Sequence, residues 1–160
     1  MNLITNSKNK TKTLSFIIAT VLLIAIVTLC VFLIVPKVFN PKARVFRFVE
    51  NKITELHGIV EMRVKDEDQR PSEFNGCKIQ YIDIGDVPII QFEMGGYGIV
   101  PSSAYYGFYY SPDDLPHVYW NGDAELLSES DNSWSYELGG DNHGSTERIM
   151  PHWYYYEVSF

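Results

Sequence analysis

Cysteine is scarce in this 160-residue chain: there are two, Cys30 and Cys77. Cys30 falls inside an apolar run, so with that run in lipid the two cannot pair within one chain. The count fits a reducing compartment and equally an extracytoplasmic protein that uses no disulfides. Positive charge is scarcer still in the distal half. Residues 79–160 hold one base, Arg148, against thirteen Asp and Glu. Residues 1–35 carry +3, residues 36–78 carry +2 and residues 79–160 carry −12, which together make the −7 of the whole chain. Nucleic-acid binding needs clustered Lys and Arg to displace counterions, so nucleic acid is excluded as a partner of the distal region. The acids serve to keep an aromatic-rich surface in solution. Catalytic signatures are missing as well. No GxSxG, P-loop, CxxC or GxGxxG sequence occurs, and no base beside Cys77 argues for an activated thiol. No cofactor is expected.

Charge, glycine and proline are all absent from Leu14 to Val35, a run of 22 residues whose polar members are Ser15, Thr20 and Thr28. At 1.5 Å per residue such a run spans about 33 Å, enough to cross a bilayer core of about 30 Å. It is too long for a signal-peptide core and no A-x-A-like site follows it. Val27-Thr28-Leu29 before Cys30 does not suit lipoprotein processing, and a pilin-type leader needs a glycine where this chain has none before Gly58. Residues 14–35 therefore read as an uncleaved transmembrane helix, behind a basic tail over 1–13 and ahead of a linker over 36–41. Lys8, Lys10 and Lys12 before the run are nearly balanced by Lys37, Lys42, Arg44 and Arg47 after it. A short basic tail ahead of a first apolar helix favours the N-terminus inside and the domain outside the cell membrane, in the manner of a bacterial envelope protein.

Residues 42–160 form the expected single domain. Val45, Phe48, Val49, Ile53 and Leu56 fall on one helical face, with His57-Gly58 as a C-terminal stop. Such a helix packs on a sheet or, helped by its bases, lies on a membrane surface. After Gly58 the period becomes two: Val60, Met62 and Val64 alternate with Glu61, Arg63 and Lys65, which predicts a strand. A polar loop follows over 66–76, and strands are expected at 78–84, 88–94, 104–110, 117–120, 134–137 and 152–160. Turn formers separate them, including Gly95-Gly96, the SPDDLP run at 111–116 and the glycine-rich 139–145. Short connections favour antiparallel neighbours. The fold class is α+β: one amphipathic helix on an antiparallel meander.

What the chain does have in quantity is aromatics. All eleven tyrosines and all three tryptophans lie between residues 81 and 156. Much of this is strand propensity and core filling. A domain this size is not expected to bury every ring, so one member of each pair, Tyr105-Tyr106 and Tyr109-Tyr110, is expected to face outward. With Trp120, Trp134 and Trp153 these tyrosines are the candidate ligand-binding residues, suited to stacking on a sugar or anchoring a protein partner. His117, His143 and His152 could in number hold a zinc ion, but their spacing fits no zinc motif. The 139–144 loop lacks the ligand spacing of a calcium loop. The leading expectation is a membrane-anchored, non-enzymatic envelope domain that binds a protein or a wall glycan. The alternatives are a small envelope hydrolase built on His117, His143 and carboxylates such as Asp123 and Glu125, and a structural subunit of a membrane complex.

Overall fold

The computed structural model describes residues 18, 20–26, 28, 40–65, 70–84, 87–99, 102–119 and 124–160. The chain divides into two compact units, Met1–Asn40 and Pro41–Phe160. In the first unit the described residues 18, 20–26 and 28 are helical, and Thr28 Oγ1 donates to the carbonyl of Ile24 at 2.8 Å. Among the described residues no helix is long and apolar enough to cross a membrane. Most of the predicted span 14–35 lies outside the described residues, as do the tail 1–13 and residues 36–39.

The second unit is an α+β fold: among the described residues one helix, α1 (Pro41–Lys65), is followed by eight strands in one antiparallel sheet. Proline at the first helical position behind Asn40 suits a helix start. The strands are β1 (Glu73–Phe74), β2 (Cys77–Ile84), β3 (Val87–Ile99), β4 (Ser102–Tyr110), β5 (Leu127–Ser130), β6 (Ser133–Gly139), β7 (Asn142–Met150) and β8 (Trp153–Ser159). Their order in the sheet is β1-β2-β3-β4-β8-β7-β6-β5. Two four-stranded meanders are thus joined where β4 pairs with β8.

Several expectations change. α1 does not stop at His57-Gly58; it continues to Lys65, and the strand predicted from the alternation at 60–65 is helix. Six residues of alternation fit both periods, and Leu56 and Ile59, both buried, carry the helical stripe past Gly58. Helix-favouring Glu61, Met62, Arg63 and Lys65 then extend it. Gly95-Gly96 is not a turn but lies inside β3, beside a bulge between Glu93 and Gly95. The 66–76 loop contains β1, closed onto β2 by Asn75 and Gly76, both at positive φ (49° and 80°), as a two-residue type I′ hairpin requires. Within 139–145 only the first residues turn, and β7 begins at Asn142.

The sheet is covered on both faces. α1 lays Val45, Val49, Leu56 and Ile59 against Cys77, Ile79, Ile90, Phe92, Tyr106, Phe108, Trp153 and Tyr155. Phe92 and Phe108 stack there with centroids 4.6 Å apart. On the other face Ile89, Tyr109, Tyr136, Tyr154, Tyr156 and Val158 meet Val118, Tyr119, Ala124 and Leu126 of the β4–β5 connection. β8 feeds both cores. Trp153 and Tyr155 point to the helix, and Tyr154, Tyr156 and Val158 to the opposite side, the alternation that period two requires. Close packing explains two glycines. A Cβ on Gly107 would sit 1.9 Å from the Phe92 carbonyl oxygen, and one on Gly144 would sit 2.4 Å from the Tyr136 ring.

Candidate functional site

The predicted aromatic residues do not converge on one surface. Tyr106 and Trp153 are buried in the helix-side core, and Tyr110 packs against it. Tyr109 is buried in the opposite core, where Tyr105 and Trp134 pack. Alternation does send the two members of each tyrosine pair to opposite faces, but both faces are covered, so no row of displayed rings results. Trp120 lies outside the described residues, as does Asp123.

The histidines separate in the same way. His117 Nε2 is 3.1 Å from Asp113 Oδ1, and His152 Nδ1 is 3.0 Å from the Ser111 carbonyl. His143 stands at the other end of the sheet, opposite Ser159 of β8. Among the described residues no three His, Cys, Asp or Glu side chains are grouped to hold a metal ion.

What the structure does assemble is a loop tied down by hydrogen bonds, Ser111–Tyr119, at the end of β4. The 117–120 segment was expected to be a strand, but its described residues 117–119 are not one. It crosses the face of the sheet, and its backbone donors bond to tyrosine hydroxyls rather than to a neighbouring strand. The His117 amide donates to Tyr109 Oη at 2.8 Å, and the Tyr119 amide donates to Tyr136 Oη at 3.3 Å. Tyr109 Oη lies 2.8 Å from Thr146 Oγ1, which donates to the Tyr155 carbonyl at 2.9 Å. A relay of buried hydroxyls thus replaces ladder bonds.

The SPDDLP turn completes the attachment. Asp114 holds a left-handed φ of 56°. Its carboxylate pairs with the Arg148 guanidinium and accepts from the His152 amide at 2.6 Å, and its carbonyl accepts from Tyr154 Oη at 2.7 Å. Asp113 Oδ1 accepts from the Leu115 amide at 3.2 Å and from Ser111 Oγ. Desolvation pushes both carboxyls up, and these partners more than reverse it, so both end below the usual carboxylate pKa; for Asp113 the largest opposing cause is the Ser111 bond, for Asp114 the His152 amide. Leu115, between the anchored residues, is 57% exposed. A recess of about 10 Å³, the space of one water, lies between the loop and the sheet beside Gln91 and Tyr156.

Met62 of α1 and Leu127 of β5 are also exposed, and the opposite end of the sheet carries a group of three exposed apolar residues. Tyr97, Ile99 and Phe160 are 54%, 86% and 39% exposed. Tyr97 and Phe160 flank an open hollow of about 180 Å³ with Ser102, Ser103 and Ser159. Neither Leu115 nor this group stood out in sequence. Leu115 is one apolar residue in a polar turn, and Tyr97 and Ile99 fall between the strands expected at 88–94 and 104–110, in what proves to be the end of β3.

Compared with protein-family models, with curated proteins and with solved structures, the chain has no match.

Proposed function

We propose that the chain is a single-pass membrane protein, anchored by residues 14–35 with its N-terminus inside, that displays its α+β domain outside the cell membrane as a non-enzymatic module binding a protein partner. The observation that carries the anchor is the uncharged run itself, whose described residues Ile18, Val21, Leu22, Leu23, Ile24 and Ile26 are helical and all more than half exposed. A helix apolar all round belongs in lipid, and the Thr28 hydroxyl is satisfied within it. A protein partner is favoured over a wall glycan because the tyrosines a sugar would stack on are engaged in the two cores. The contact falls instead on the Ser111–His117 loop, which the sheet holds rigid and which lifts Leu115 into solvent. Loops fixed to a rigid scaffold are common binding elements.

A photo-crosslinker at position 115 of the full chain in its membrane tests this. One adduct of defined mass, formed from position 115 and from the exposed position 112 of the same loop, absent from a crosslinker at Asn132, and lost from position 112 when Leu115→Asp is added, supports the reading. No adduct from position 115, or retention on isolated wall material that survives Leu115→Asp, contradicts it.

A further inference from the structure

β3 outruns its neighbour. β2 pairs with it from Ile84↔Val87 to Lys78↔Glu93, and β3 then continues to Ile99. Over Gly95–Ile99 its strand partner, among the described residues, is β4 alone. The register shows which backbone groups face the open side. Ser103 and Phe160 exchange hydrogen bonds of 3.1 and 2.8 Å, so Ser103 faces the end of β8. The alternation of an antiparallel ladder then turns Ser102 and Ala104 towards β3. Tyr97, opposite Ala104, and Ile99, opposite Ser102, are the residues bonded to β4. The N–H and C=O groups of Gly96 and Gly98 point the other way, off the edge of the sheet.

Exposed edges are ordinarily blunted by charge, by proline or by shortness. Residues 94–99, MGGYGI, carry neither charge nor proline. The glycines answer to β4: a Cβ on Gly96 would stand 2.7 Å from the Ala104 carbonyl oxygen, and one on Gly98 would stand 2.3 Å from that of Ser102. On the open side the same two glycines leave the backbone bare. Gly95, Tyr97 and Ile99 share one face by alternation, and Tyr97 and Ile99 are 54% and 86% exposed. The Tyr97 hydroxyl is bonded to Glu157, which ties the ring over its own sheet.

We infer that two copies of this chain pair through this edge, antiparallel about a two-fold axis at Tyr97. In that register Gly96 of each copy meets Gly98 of the other and closes a pair of backbone hydrogen bonds. Tyr97 meets Tyr97 at the close, non-bonded position, with Cα atoms about 4.5 Å apart. The same register sets each Ile99 over the other copy's Gly95, large on small. This is the self-complementarity that a two-fold contact demands. Residues 94–99 oppose no like charges, although the distal half of the chain is acidic. Gly95–Ile99 is far shorter than the roughly 20–30 residues a side of a standard interface, so the pairing is weak and depends on concentration.

The test uses the full chain with Cys30→Ser in detergent; Cys77 is buried. Tyr97→Cys, Ile99→Cys and, as control, Asn132→Cys in the β5–β6 turn are each oxidised over a range of chain concentrations. Tyr97→Cys is expected to form a disulfide dimer, since Cα atoms about 4.4–6.8 Å apart can be bridged. Ile99→Cys is expected to stay monomeric, because in this register the two positions lie about 13 Å apart along the strands. Absence of a dimer from Tyr97→Cys overturns the inference. So does a dimer formed as readily from Ile99→Cys or Asn132→Cys, the mark of random collision or of association through residues 14–35. Because Tyr97→Cys also removes the bond to Glu157, the chain with Tyr97 intact is followed by amide hydrogen exchange. Slower exchange at Gly96 and Gly98 as the chain is concentrated, lost in Ile99→Lys, is expected. Exchange there that does not change with concentration overturns the pairing.

Discussion

Removing the hydroxyl of Tyr109 tests the tyrosine-relay description of the loop. Tyr109 is 3% exposed, and Thr146 is fully buried. Its oxygen accepts from the His117 amide at 2.8 Å and lies 2.8 Å from Thr146 Oγ1. Thr146 Oγ1 also reaches the Tyr155 carbonyl at 2.9 Å and Tyr109 Oη the His117 carbonyl at 3.4 Å, so either hydroxyl can donate between the two. In Tyr109→Phe the ring and its stack on Tyr154, at 5.3 Å, stay in place. The His117 amide and Thr146 Oγ1 each lose a partner. An orphaned buried donor costs about 1–3 kcal/mol, so a loss of about 2 kcal/mol is expected. For a domain of this size that corresponds to a Tm lower by roughly 6–12 °C. Thermal unfolding of the full chain in detergent, followed by near-UV circular dichroism, reads it. Tyr110→Phe is the control, because Tyr110 works through ring contacts with His152 and Trp153; a change within about 0.5 kcal/mol is expected there. Equal Tm values for Tyr109→Phe and the parent would refute the relay.

Further outcomes follow from the packing. Gly58 sits inside α1 with open space around its Cβ position, so Gly58→Ala raises stability by about 0.5–1 kcal/mol; a lower Tm would contradict the helical assignment there. Gly144→Ala forces the buried Tyr136 ring to move and costs about 1–3 kcal/mol, readable as a lower denaturant midpoint. Deleting residues 153–160 removes the strand that feeds both cores and abolishes folding, so a truncated chain that still melts cooperatively would refute its role. The hydroxyls of Tyr97, through its bond to Glu157, and of Tyr154, through burial, are pushed up to about 12. A raised folded pKa means stability intact below the unfolded value of about 10 and lost as pH rises towards 12 and beyond. Tyrosinate absorbance is expected to lag a free-tyrosine titration and then rise together with unfolding; ionisation of all tyrosines near pH 10 in a folded chain would contradict the burial.

The helix-on-sheet plan was legible because long patterns carry it. The stripe from Val45 to Leu56 and the alternation in β2, β4 and β8 outweigh local ambiguity. Short signals misled. The six residues after Gly58 alternate by coincidence with a helical stripe, and Gly95-Gly96 carries a bulge where a turn was expected. β7 was invisible since its residues from Asn142 to Arg148 are polar or small and show no apolar alternation; Gly144 lies under the Tyr136 ring and Thr146 is buried beside Tyr109. The aromatic richness was legible, but its use was not. A strand pattern shows which face a tyrosine takes, not whether a loop covers that face. Here the SPDDLP connection does, held by contacts such as Arg148–Asp114, 34 residues apart in sequence. The native thiol is also less useful than its isolation suggests. Cys77 is 2% exposed, and burial, with the nearby charge of Glu73, pushes its pKa up to about 11, so it stays unreactive at neutral pH while the domain is folded.

An introduced thiol on the surface therefore decides whether the domain is anchored and displayed outside. Asn132 is exposed in the β5–β6 turn. Asn132→Cys in the full chain, produced in bacterial cells, is treated with a membrane-impermeant maleimide before and after lysis, and the membranes are then washed in alkali. The expected result is labelling on intact cells of a chain that stays in the washed membranes. Labelling only after lysis, or recovery of the chain in the wash, would contradict a domain tethered outside the membrane by residues 14–35.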